Sequence, residues 1–181
     1  MSRRTAPRRG RKVSDEALAQ PHEMLGTGKA RSARLIALLL PLALLGGAMG
    51  SQYLGGLHPC EMCYWQRWPH GAAILLALVA FSSSATSRRA ITLTTLAALA
   101  IAISGAIGVY HAGVEANIFE GFTTCTATRG LTFEELMNVP LVRCDQVQFS
   151  FLGISMAGWN AILSLGGAAV ISFLLLKGRK A

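Results

Sequence analysis

Cys60-Glu61-Met62-Cys63 sets two thiols two residues apart, and Gln66-Arg67 follows directly. Two thiols at that spacing can close a small disulfide ring or bind a metal. Cys125 and Cys144 complete an even set of four. Three readings are open for such a set: structural disulfides, metal ligands or redox-active pairs. A ring as short as Cys60–Cys63 removes little loop entropy and so stabilises little, which suits an exchanging pair better than a structural staple. For Cys125 and Cys144 a structural disulfide is an unremarkable reading. A metal needs four converging ligands, but the second pair is far apart in sequence, and adding His58 or His111 produces no recognised spacing. Metal ligation is therefore set aside. A helix starting near Cys63 puts that thiol at the positive end of the helix dipole, with Arg67 one turn on along the same face. Both favour thiolate, and a thiol of depressed pKa is the better leaving group and electron donor.

Arg67 and His111 are weighed against blander roles. An arginine near a membrane interface ordinarily snorkels to water. Arg67 is, however, the only Lys or Arg between residues 35 and 87, and it stands beside the thiol pair, where it can stabilise an anionic acceptor. A lone histidine at the end of an apolar run is ordinarily an interfacial polar residue. Tyr110 and His111 are nonetheless placed to hydrogen-bond an acceptor ring.

The elements that must hold these residues are membrane helices. The 181 residues are 52% hydrophobic and 14% charged, too apolar for a soluble domain of this size. The predicted fold class is an all-α membrane protein, a four-transmembrane-helix bundle with two extracytoplasmic cysteine-bearing loops and a disordered basic N-terminal tail. Residues 1–34 form that tail: they are rich in Arg and Lys and lack an apolar period. The membrane domain covers 35–176, with spans at about 35–54, 64–81, 90–110 and 151–176 and outer loops at 55–63 and 111–150; residues 177–181 close the chain as a basic tail. The first run competes with a signal peptide, but the preceding tail is too long for one. Gly46, Gly47 and Gly50 in the first span, and Gly105 and Gly108 in the third, are expected to admit close helix contacts. Thr132-Phe133-Glu134-Glu135 fits a helix start in the second loop, running through Met137.

Charge placement orients the bundle. Four spans put both termini and the 82–89 turn on one side, and that side collects all the Lys and Arg except Arg67, Arg129 and Arg143. The positive-inside rule then places the termini in the cytoplasm and the four cysteines outside, in a bacterium in the periplasm. The net charge of +8 resides in tails and one turn, which excludes a nucleic-acid groove as its explanation.

Cys60-x-x-Cys63-x-x-Gln66-Arg67 at the head of the second span resembles the bacterial disulfide bond formation protein B (DsbB) family. So do the outer pair Cys125 and Cys144, the run Tyr110-His111-Ala112-Gly113-Val114-Glu115, and Phe151-Leu152-Gly153-Ile154-Ser155 followed by Trp159-Asn160. The resemblance covers about residues 35–176. It implies a thiol oxidase of the bacterial inner membrane, with catalytic Cys60, Cys63, Cys125 and Cys144, serving a DsbA-like periplasmic thioredoxin-fold protein. In that scheme the partner's thiolate attacks the Cys125–Cys144 disulfide at Cys125, and Cys144 exchanges with Cys60. Cys63, released as thiolate, passes electrons to a membrane quinone, ubiquinone or menaquinone, beside Arg67. The segment between Cys125 and Cys144 is short for the family, and the basic tail is not a family requirement. Two alternatives stand beside this reading: a membrane scaffold or channel subunit with structural disulfides, and a relative serving a dedicated substrate protein.

Overall fold

The computed structural model describes the backbone of residues 10–121 and 142–179, and the side chains of residues 26–121 and 142–178. Cys125 and the helix expected over Thr132–Met137 lie outside the described residues. Four long helices account for most of what is described: α1 (Gly10–Tyr53), α2 (Glu61–Ala80), α3 (Arg88–Glu115) and α4 (Met156–Arg179). A two-stranded hairpin, β1 (Ser150–Phe151) against β2 (Ile154–Ser155), precedes α4. The helices pack in a ring: α3 lies against α2 and α4, α1 closes the ring against α4 and α2, and α1 meets α3 only lightly across the centre.

Among the described residues, three helical segments are long and apolar enough to cross a membrane: Gly26–Tyr53, Arg88–Glu115 and Met156–Gly178. The helix α2 corresponds to the expected second span, 64–81. It is not among them, because Glu61, Gln66, Arg67 and His70 occupy its first half. Of these, Gln66 and His70 are buried in the bundle.

Four expected boundaries move. The tail expected to be disordered over 1–34 is helical from Gly10 onward, so α1 runs 44 residues. That is ~66 Å at 1.5 Å per residue, about twice the ~30 Å of bilayer hydrocarbon. Tertiary contacts explain the part nearest the bundle. Ala30 and Ala33 are buried, and Arg34 Nη1 donates to Ala80 O at 2.9 Å and Ser83 O at 2.8 Å. The arginine thus caps the C-terminal carbonyls of α2, where a cation is favoured. Second, α2 begins at Glu61, with Cys60 as N-cap residue. Third, α3 does not stop at 110 but continues to Glu115, so His111 is a helix residue and not a loop residue. Its stop is a Schellman motif: Asn117 adopts φ 57°, Ile118 N–H bonds Gly113 O at 2.8 Å and Asn117 N–H bonds Val114 O at 3.0 Å. Phe119 then folds onto Gly113 and stacks on Tyr110 with ring centroids 5.6 Å apart. Fourth, 150–155 is not helix. Leu152 and Gly153, with φ of 53° and 76°, turn the hairpin in the manner of a type I′ turn, and Ser155 Oγ then caps α4 by accepting from Gly158 N–H at 3.1 Å.

The core is a seam of small residues. Ala33, Ala37, Ala73, Ala77, Ala97, Ala98 and Ala168 are buried around Ile101, Ile171 and Leu175. Small side chains let helix backbones approach, which is what drives packing where lipid removes the hydrophobic term. Gly105 and Gly108 serve this as expected: an added Cβ would lie 2.8 Å from Leu165 Cγ at the first, and 3.0 Å from Ala157 O and Ala161 N at the second. Gly46, Gly47 and Gly50 do not, since an added Cβ there meets nothing within 4 Å.

Candidate thiol-exchange site

Three of the four cysteines sit in one buried cluster above the alanine seam. Cys60, Met62, Val114, Val142 and Cys144 are buried together, with Cys63 and Tyr110 packed against them. Each sulfur is positioned by its local fold. Cys60 precedes α2 in extended conformation, and its Sγ accepts from Cys63 N–H at 3.3 Å, the role a serine oxygen plays at an ordinary N-cap. That cap brings Cys63 Sγ to 3.0 Å from Cys60 Sγ, a thiol hydrogen bond rather than a covalent bond of ~2.05 Å. Cys144 arrives from the second loop. Its sulfur, the Cys60 sulfur and a ring nitrogen of His111 all lie within 4.8 Å of one another.

The two thiols of the pair differ in acidity. Hydrogen bonds with Cys144 and Cys63, together with burial, push the Cys60 thiol above its ordinary range. Cys63, in the first turn ahead of the apolar run that begins at Tyr64, is held below the ordinary range, chiefly by the hydrogen bond from the Cys60 thiol. Burial opposes this, while the Cys60 backbone contact and, least of all, the Arg67 charge add to it. The preference for thiolate at Cys63 therefore comes from its neighbouring thiol far more than from the arginine to which the sequence pointed.

Arg67 turns toward α1. Its Nη1 donates to Gln52 Oε1 at 2.5 Å and its Nη2 to Ala48 O at 3.2 Å, and its guanidinium lies 5.1 Å from the Tyr64 ring centroid. It lines a cavity of about 270 Å³ between α1, α2 and α4, close to the lower end of small-molecule pockets at ~300 Å³. Cys60, Cys63, Gln66 and His111 line the same cavity, and Ala43, Leu44, Gly47 and Ala48 give it an apolar wall. The open space at Gly47 is part of this cavity, which accounts for the glycine that makes no helix contact.

His111 is 3% exposed, with Nε2 3.5 Å from Cys60 Sγ. Its other nitrogen, Nδ1, lies 2.8 Å from Gln66 Nε2. Glu115, one turn on, brings Oε1 to 3.9 Å from His111 Nε2 and hydrogen-bonds Ser155. Arg143 and Asp145 form an ion pair beside Cys144, and the guanidinium holds the Asp145 carboxyl below its usual range.

The sequence matches known proteins. The family model described as Disulfide bond formation protein DsbB covers residues 30–174. The chain belongs to the DsbB family. It is 36% identical over 157 residues to Disulfide bond formation protein B 1 of Pseudomonas fluorescens, spanning 84% of this chain and 88% of that one. It is 30% identical over 159 residues to Disulfide bond formation protein B of Acidovorax sp., spanning 80% and 88%. An uncharacterized protein of Rickettsia prowazekii is 26% identical over 139 residues, 72% and 79% of the two chains. No solved structure matches the chain. As a DsbB-family chain it is a membrane oxidoreductase of disulfide bond formation.

Of the expected site residues, Cys60, Cys63, Cys144 and His111 come together, Arg67 borders the same cavity, and Cys125 lies outside the described residues. The sequence reading passed over Gln66, except as part of a motif, and did not single out His70, Ser104 or Ser164, while Asn160 entered only as part of the resemblance. These form one buried polar network beneath the cysteines. Gln66 and His70, four apart on one face of α2, were a usable signal, since a polar pair buried in a membrane helix needs partners.

Proposed function

We propose that the chain is a four-span inner-membrane oxidase, both termini cytoplasmic, that reoxidises a DsbA-like periplasmic thioredoxin-fold protein and passes the electrons to a membrane quinone. The observation that carries this reading is the approach of Cys144 to Cys60, within 4.8 Å of sulfur to sulfur, at the rim of the cavity that Arg67 borders. Two cysteines from separate loops at that distance need only a small shift to exchange a disulfide. The cavity suits a ring: an apolar wall on one side, the Arg67 guanidinium and the Gln66 and His111 side chains on the other.

In this scheme the partner's thiolate attacks Cys125, the Cys125–Cys144 bond breaks, and Cys144 leaves as thiolate. Cys144 then attacks Cys60, the Cys60–Cys63 bond breaks, and Cys63 leaves as thiolate, the form its surroundings favour. The second thiol of the partner displaces Cys125, completing the partner's own disulfide, and Cys125 recaptures Cys144. Cys60 and Cys63 are left as a dithiol that gives up two electrons and two protons on closing its ring. A quinone in the cavity supplies the two-electron, two-proton sink. Arg67 holds positive charge where negative charge develops on that acceptor, and His111 offers a hydrogen bond.

Anaerobic mixing of the purified protein with reduced partner and either ubiquinone or menaquinone, followed by quinone absorbance, tests this. Quinone is expected to be reduced by the native protein and by neither Cys63→Ser nor Cys125→Ser. Normal reduction by both variants would sink the scheme, and a scaffold with structural disulfides would reduce no quinone at all.

A further inference from the structure

We infer that Gln66, oriented by Asn160, is a positioning residue that fixes His111 as a neutral ring protonated on Nε2, the nitrogen that lies 3.5 Å from the Cys60 sulfur. Two backbone carbonyls set the sense of the whole chain. Asn160 Nδ2 lies 3.2 Å from Ser104 O; a carbonyl can only accept, so the group facing it is the amide nitrogen. Asn160 Oδ1 therefore faces the other way and accepts from His70 Nε2 at 2.9 Å and from Ser164 Oγ at 2.9 Å. Asn160 Nδ2 also donates to Gln66 Oε1 at 2.7 Å. Gln66 is left with its amide nitrogen toward Met62 O, the second carbonyl, at 3.3 Å, and toward His111 Nδ1 at 2.8 Å. An amide nitrogen has no lone pair to offer, so Nδ1 must accept and the ring proton resides on Nε2.

The reverse arrangement would set Asn160 Oδ1 against Ser104 O and Gln66 Oε1 against Met62 O. Both amides are buried or half-buried, where opposed acceptors repel each other with little screening. His70 fits the same sense. Its Nε2 donates to Asn160, and its Nδ1 is buried without a partner among the described residues.

The consequence concerns the sulfurs. His111 Nε2–H faces Cys60 Sγ at 3.5 Å and Glu115 Oε1 at 3.9 Å, both acceptors, and the ring also donates a hydrogen bond to the Cys144 backbone. The ring donates to a thiolate on Cys60, or to an acceptor oxygen at this end of the cavity, and does not take a proton at that atom. For the same reason Cys60, Cys144 and His111, although close enough to ligate a soft cation, do not present three lone pairs. The tautomer rests on the hydrogen-bond geometry alone; only the donation to an acceptor in the cavity rests on the quinone reading.

Nitrogen NMR of the full-length, isotope-labelled protein, reduced and embedded in lipid nanodiscs at neutral pH, reads the tautomer directly, with His111→Asn assigning the signals. In the unaltered protein Nδ1 is expected to be unprotonated and Nε2 protonated. In Gln66→Glu a carboxylate faces Nδ1, so Nδ1 is expected to gain a proton. A protonated Nδ1 in the unaltered protein, or an unprotonated Nδ1 in folded Gln66→Glu, overturns the inference. The unaltered spectrum decides by itself if the variant does not fold. Failure of quinone reduction with the expected nitrogen pattern would instead count against the proposed function alone.

Discussion

Cys60 Sγ and Cys63 Sγ stand 3.0 Å apart, and the Cys63 amide donates to the Cys60 sulfur. The Cys60 thiol donates to Cys63 Sγ, which holds Cys63 below the ordinary thiol range and helps to push Cys60 above it. Since Cys63 is lowered and Cys60 raised, thiolate appears at Cys63 first as pH rises. In the reduced protein, iodoacetamide is expected to label Cys63 below the ordinary thiol pKa of about 8.5, while Cys60 lags. Mass spectrometry of the two positions against pH checks this; equal labelling, or Cys60 first, would refute the asymmetry.

Arg67 anchors the cavity wall through Gln52 and the Ala48 carbonyl. Arg67→Met removes a charge and its charge-assisted hydrogen bonds, an effect of ~1.5–3 kcal/mol, or roughly 10- to 100-fold. Under the proposed function, the KM for quinone is expected to rise by that order while the KM for the protein partner changes little. A comparable change in both would assign Arg67 to folding. Lysine, lacking the planar fork that reaches both α1 partners, is expected to rescue only in part.

Gly108 lets α3 meet the backbone of α4, with an added Cβ 3.0 Å from Ala157 O and Ala161 N. Backbone atoms cannot swing aside, so Gly108→Ala is expected to destabilise by ~1–3 kcal/mol as overpacking does. Gly46→Ala, with open space, should be neutral or gain up to ~1 kcal/mol of helix propensity. Thermal unfolding in detergent compares the two, and a tolerated Gly108→Ala would show that the interface yields.

Arg34 closes the end of α2 through two carbonyls and lies 4.2 Å over the Phe81 ring. Arg34→Ala is expected to lose about 1–2 kcal/mol, the lower part of the range for charged hydrogen bonds because the group is only half-buried. The same unfolding assay measures it. No loss would mean that water replaces the arginine at those carbonyls.

Much of the scaffold was legible because it depends on local quantities. Apolar length marks helices, and the runs near 35–54, 90–110 and 151–176 each coincide largely with a long helix. The misreadings share a cause as well. Residues 26–34 lack an apolar period, yet α1 includes them because Arg34 and the buried alanines find partners on α2 and the core. The last turn of α3 was read as loop because its stop depends on Asn117 in a left-handed conformation, which no composition window registers.

By itself, the sequence determined the membrane class and the family, since hydropathy and motif spacing are properties of neighbouring residues. Only the tertiary structure decided how the site is tuned. Gln66 meets His111 across 45 positions and Asn160 across 94, and Cys144 enters from a separate loop to sit against Cys60. Hydrogen bonds are directional and act only at contact distance, so which buried polar groups become partners is set by the packing of the helices around them.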